Sequence, residues 1–281
     1  MKQGHHHQLL FHWIGSDIEQ KLRAKQNPIS QEEANKLYID HLRGSIQNGL
    51  WLNKTREQEF IGSRKIALDR PITCFTEWSL RNSQTHTHKY GRLGFGFTRA
   101  WVVARGGQPV TYVRPAKNSA YTSAAERLHG WISRLKDEDP MKKDLRAALG
   151  TILHYSRSLR DLPSTPTEPS GKATKKRVSK APRQVAPLQR KWPAPMPLVE
   201  EREWRIVHTA GLKLCVANTN KTANTPSYYL PYTTGTELFT LVVPNNEILQ
   251  EVVQDNRLRK QLFPAERPHV SLLSWQDLGS F

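Results

Sequence analysis

The chain has 281 residues, and its eight tryptophans, eight tyrosines and eight phenylalanines supply the apolar bulk of a packed core although only 37% of residues are hydrophobic. No run approaches the roughly 18 apolar residues of a membrane span, Leu9–Leu10–Phe11 is too short for a signal peptide, and a cytoplasmic protein is expected. Against 25 acidic residues stand 42 basic ones, a net +17, which favours anionic partners: nucleic acid, nucleotides or an acidic partner protein.

In chain order, Leu9–Ile14 reads as a first strand with His12 inside it. Ser30–Gln31–Glu32–Glu33 has the form of a helix start with a capping serine and a glutamate at the third position. Leu37, His41, Leu42 and Ile46 recur at helical spacing, so a helix is expected over Gln31–Gln47, ended by Gly49. Ile72–Phe75 and Leu93–Phe97 read as strands, the second with Gly94 and Gly96 marking a close backbone approach or a cleft wall. Ala100–Ala104 and Val110–Val113 flank Arg105–Gly106–Gly107–Gln108, which predicts a hairpin. Ser119–Lys136 and Pro140–Leu159 carry apolar stripes of helical period.

At Pro163 the composition changes. Residues 163–198 hold eight prolines and few large apolar residues, so a disordered loop is expected. Its lysines and arginines, among them Lys172, Lys175, Lys176, Arg177 and Lys180, are candidates for sequence-independent contact with nucleic acid, the alternative being a solvated tether. Strands are expected again at Trp204–Val207, Leu212–Val216, Leu238–Val243 and Val270–Leu273, with a helix at Asn246–Gln254. Neither side of the loop has an obvious core of its own. One α+β domain is therefore expected, in two parts, 1–162 and 199–281, interrupted by the basic insert.

The cysteines Cys74 and Cys215 stand far apart in apolar runs and read as buried thiols. The His5–His7 run could bind a metal or be a purification remnant, a solvated terminus being expected, and His86–Thr87–His88 lacks accompanying cysteines or carboxylates, so no metal site is expected. The informative polar residues lie in apolar strands: His12, Glu77 and Glu203. A buried carboxylate is costly unless paired. Arg205, two residues from Glu203, projects from the same strand face. Glu203 is thus either a partner for Arg205 or a functional group.

The stretch Pro71–Trp78 with its Cys-Phe-Thr-Glu block, Lys89–Phe97 with Tyr-Gly-x-x-Gly-Phe-Gly, Trp101, and Gln108–Val113 with Pro-Val-x-Tyr resemble the AbiGi abortive-infection family. Glu-Trp-Arg-Ile at Glu203–Ile206 is similar to a later block of the same group, and with the His12 and Gly49–Leu50 segments the likeness covers most of the chain outside the insert. That family is linked to phage resistance, and some members are described as the antitoxin of a two-component system. A more distant resemblance, in the order of His12, helix, Gly49–Leu50 and a late Glu203, is to DarT-like ADP-ribosyltransferases. It implies an ADP-ribosyltransferase-like fold and NAD as cofactor, held by His12, an aromatic from Tyr90 or Phe97, and an arginine, Arg99 or Arg43. Glu203 would be the catalytic carboxylate, because departure of nicotinamide leaves positive charge on the ribose. The resemblance equally admits a non-catalytic antitoxin that binds nucleic acid or a partner protein.

Overall fold

A computed structural model gives the fold and describes residues 9–53, 57–61, 64–68, 70–77, 89–113, 120–158, 202–208, 216–218, 227–264 and 270–278. The basic insert and both histidine clusters lie outside these residues. The N-terminal part runs β1 (Leu9–Ile14), α1 (Ser16–Leu22), α2 (Gln31–Asn48), β2 (Leu50–Leu52), β3 (Glu57–Ile61), β4 (Arg64–Leu68), β5 (Ile72–Thr76), β6 (Leu93–Thr98), α3 (Arg99–Ala104), β7 (Gln108–Pro109), β8 (Thr111–Val113), α4 (Ala120–Arg134), α5 (Pro140–His154) and β9 (Ser156–Ser158). The C-terminal part adds β10 (Glu203–Val207), β11 (Val216–Asn218), β12 (Ser227–Leu230), β13 (Leu238–Val243), α6 (Asn246–Gln254), α7 (Asn256–Leu262), β14 (Ser271–Ser274) and α8 (Trp275–Leu278).

The fold is α+β and centred on a seven-stranded sheet of order β14-β13-β6-β1-β5-β10-β7. It is mixed: β13 and β14 are parallel, and the remaining neighbours are antiparallel. Strands from before and after residues 163–198 alternate within it. Alternation along the strands sends side chains to two faces. On one face Leu10, Phe75, Phe95, Phe97 and Ile206 pack with Tyr38, Ile39 and Leu42 of α2, and with residues of α6 and α7, in the main core. Each fully buried large apolar side chain there contributes roughly 1.5–3 kcal/mol. On the other face Phe11, Trp13, Val242 and Trp275 make a smaller cluster.

Local sequence accounts for the best-defined elements. Ser30 and Glu33 form the expected capping box, Glu33 N–H donating to Ser30 Oγ (3.1 Å) and Ser30 N–H to Glu33 Oε2 (2.9 Å). The close-approach reading of Gly94 also holds, since a Cβ there would sit 2.2 Å from the Trp13 ring. The glycines of β6 leave space for the rings of β1.

The hairpin expected around Arg105–Gln108 does not form. Residues 99–104 are helix α3, because Thr98 caps it by accepting from Trp101 N–H (3.2 Å) and Trp101 and Val102 bury one side. A five-residue apolar run carries no period long enough to separate strand from helix. The helix expected to reach Leu159 stops at His154, and Ser156–Ser158 instead pairs in parallel with β8. Of the strand expected at Leu212–Val216, residues 212–215 lie outside the described residues, and Val216–Asn218 pairs with Ser227–Tyr229.

Candidate functional site

The centre of the large sheet is split. β1 is registered to β6 over six pairs, from Leu9↔Thr98 to Ile14↔Leu93, and β5 to β10 over five. Between β1 and β5 only Phe11↔Thr76 is paired. Trp13 Nε1–H donates to Thr76 Oγ1 (3.1 Å) and clamps the closed end. Toward Ile14 the strands diverge. The gap is bridged by His12, whose Nδ1 lies 2.8 Å from the Cys74 carbonyl oxygen.

A cleft of about 650 Å³ occupies this divergence. The C-terminal half of α2 forms one side through Asp40, His41, Gly44 and Ser45, and Trp51 and Tyr229 of a separate three-stranded sheet of order β11-β12-β2 form another. Trp51 and Tyr229 are register partners, and Thr73 Oγ–H donating to the Trp51 carbonyl (2.9 Å) ties that sheet to β5. His12, Tyr90 and Glu203 all line the cleft.

The chemistry of these three groups follows from their partners. A carbonyl only accepts, so His12 Nδ1 carries the proton and Nε2 is left as an acceptor. Desolvation holds the His12 pKa below 6.5, opposed by the Cys74 hydrogen bond, so the ring is neutral. Glu203 is buried, and its Oε1 accepts from Arg205 Nε–H at 2.8 Å. Arg205 has no exposed surface and also donates through Nη1 to the His154 carbonyl (2.9 Å). The pairing with Arg205 is therefore present, and Glu203 also forms part of the cleft wall.

The rim near Tyr90 is fastened by a second buried carboxylate. Glu19, 1% exposed, accepts from Tyr38 Oη–H (2.9 Å), Arg23 (3.0 Å) and Arg92 Nη2–H (3.1 Å). Arg92 follows Gly91, which has φ +100° and approaches Ile14 so closely that a Cβ would lie 2.1 Å from its carbonyl oxygen. This network joins α1, α2 and the segment carrying Lys89 and Tyr90. Nothing in the sequence distinguishes Glu19 from an exposed helix carboxylate.

Three other expected cofactor residues, Phe97, Arg99 and Arg43, are not brought to the cleft. Phe97 is fully buried and stacks on Trp101, with ring centroids 4.2 Å apart. Arg99 pairs with Glu77 and lies over the Trp204 ring, 5.2 Å from its centroid. Glu77 Oε2 also accepts from Trp204 Nε1–H (3.1 Å), which gives this strand-end carboxylate a structural role. Arg43 is directed to Asp255 (2.9 Å) and Glu251 (3.6 Å). Lys172, Lys175, Lys176, Arg177 and Lys180 lie outside the described residues. Among the described residues no group of three or more His, Cys, Asp or Glu could hold a metal ion, and no helix is long and apolar enough to cross a membrane.

The depressed His12 pKa has a measurable consequence. Above pH 6.5 the ring is neutral both folded and unfolded; below it the unfolded chain takes up a proton that the folded chain refuses. Stability should therefore fall as pH drops from about 7 to 5. His208, whose pKa is lowered by desolvation and by Arg70, acts in the same direction. Melting temperatures across this range should decline, and the decline should flatten in His12→Gln with His208→Gln.

Fold and cleft define a mixed-sheet α+β protein with a ligand-sized opening at the middle of its sheet. Residues 51–163 match a family model described as putative abortive phage resistance protein AbiGi, antitoxin. The match bears out the resemblance to that family of the blocks between Pro71 and Val113. It contains β5 but neither His12 nor Glu203. No curated protein and no solved structure matches the chain, so the likeness to DarT-like enzymes has no match of this kind.

Proposed function

We propose that this protein acts in phage defence as an NAD-dependent ADP-ribosyltransferase whose cleft between β1 and β5 receives the nicotinamide-ribose half of NAD. One observation carries the reading. His12, Tyr90 and Glu203, far apart in sequence and each singled out by its residue type and setting, line one cleft of about 650 Å³, a size within the range of ligand sites.

The residues present fit that half of the cofactor. His12 Nε2 is an acceptor suited to a ribose hydroxyl or a carboxamide N–H. The half-buried Tyr90 supplies an aromatic wall. Glu203 is held by the hydrogen bond from Arg205, and a carboxylate on the cleft wall can stabilise positive charge at the ribose. Bound NAD would supply an ADP-ribosyl group with nicotinamide as its leaving group. The pyrophosphate is less well provided for: Lys89 is on the cleft wall, but Asp17 and Asp40 are there too.

The test is NAD consumption and transfer of labelled ADP-ribose to cell extract, comparing the wild type with Glu203→Gln. Turnover should fall roughly tenfold or more in the variant while its melt stays cooperative. Equal turnover in both proteins would remove Glu203 from the chemistry, and no turnover in either would contradict catalysis.

The family description favours a second reading, an antitoxin that works by binding. In that case the cleft would be a recognition site, and the basic segment with Lys172, Lys175, Lys176, Arg177 and Lys180 would meet nucleic acid or an acidic partner protein. Saturable partner binding that is unchanged in Glu203→Gln, with no NAD loss, is the result this reading expects.

A further inference from the structure

A second cavity of about 610 Å³ lies away from the split sheet, between β4 and the helix pair α4–α5. Its apolar lining includes Ile66 and Leu68 of β4, Ile132 of α4, and Leu149 and Leu153 of α5. Among the described lining residues there is no carboxylate, and both permanently charged ones, Arg70 and Arg146, are cations. His129 and Ser133 add polar groups from α4.

The arginines differ in how they are held. Arg70 is oriented by neutral acceptors, donating to Thr151 Oγ1 (2.9 Å) and the Ala147 carbonyl (3.3 Å). Among the described residues no carboxylate pairs with it. Arg146 is 63% exposed, and its Asp137 contact at 3.9 Å is long and solvated. Gly150 leaves room beside Arg70: a Cβ there would meet nothing nearer than Arg70 Nη2, at 3.9 Å. An oriented guanidinium at the edge of an aliphatic hollow suits an anionic head on an apolar body, and its planar fork matches phosphate oxygens.

We propose that the cavity between β4 and α4–α5 is a binding site for a phosphate monoester with an apolar body, its phosphate between Arg70 and Arg146 and its body against Leu149 and Leu153. The site does not depend on the NAD reading of the cleft, and the two fail independently.

Calorimetric titration of the full chain with octyl phosphate, kept below its micelle concentration, tests this. Saturable binding near one equivalent is expected, with octanol and inorganic phosphate each weaker by about tenfold or more. Arg146→Gln, at an exposed position, should keep the wild-type melting temperature and lose about tenfold or more in affinity. Arg70→Gln should lose at least as much, but Arg146→Gln decides because it does not disturb the bonds to α5. The proposal is overturned if octyl phosphate fails to saturate, or if octanol or inorganic phosphate alone binds as tightly. It is overturned equally if folded Arg146→Gln binds like wild type.

Discussion

Arg205→Ala is expected to lower the unfolding free energy by roughly 3–5 kcal/mol, the usual cost of removing one partner from a buried ion pair. The side chain has no exposed surface and sits in a strand whose five residues are all buried. Removing it takes away the donor 2.8 Å from the Glu203 carboxylate and the donor 2.9 Å from the His154 carbonyl. The charge, more than the lost contacts, sets the size of the effect. A double replacement, Arg205→Met with Glu203→Met, removes both charges and should recover much of the loss. Urea denaturation of the three proteins reads both results. A double variant as unstable as Arg205→Ala would mean that the pair is held by its geometry and not by its charge balance.

Gly44→Phe should close the cleft without harming the fold. Gly44 lies inside α2 and lines the cleft, and a Cβ added there meets no heavy atom within 4 Å. Replacing a helical glycine removes backbone freedom from the unfolded chain, an effect worth about 0.5–1 kcal/mol for alanine and a few tenths of a kcal/mol for phenylalanine, in favour of folding. The benzyl group has the cleft as its available space, so ligand and side chain compete for one volume. Affinity for a cleft ligand should fall by about a hundredfold or more, close to 2.7 kcal/mol, with a melting temperature equal to or above that of the wild type. Few substitutions separate binding from stability so cleanly, because most cleft residues also hold the sheet or its rim.

Much of the fold is legible in the sequence where pattern and chemistry agree. The capping box of α2, the strand Leu9–Ile14 and the helix Asn246–Gln254 have local signals that tertiary packing does not override. The period of two along a strand is enough to put Arg205 beside Glu203 on one face, where the ion pair forms. The parts that are not legible depend on partners distant in the chain. α3 reads as a strand because its burial comes from the sheet beneath it, and β9 reads as the end of a helix because the strand it pairs with, β8, lies over forty residues away. The cleft itself depends on a missing feature, the failure of β1 and β5 to pair beyond Phe11↔Thr76. Residue types point to His12, Tyr90 and Glu203, but they also point to Phe97 and Arg99, and only packing separates the two groups. Phe97 goes to the core and Arg99 to Glu77.

The central claim is that the opening between β1 and β5 is a site for NAD. Titration of NAD into the wild type and into Gly44→Phe, followed by calorimetry beside a thermal melt of each, tests it most directly. Saturable binding to the wild type, lost in a Gly44→Phe protein that melts no lower, is the predicted result. No binding to the wild type, or equal binding to both, would contradict it.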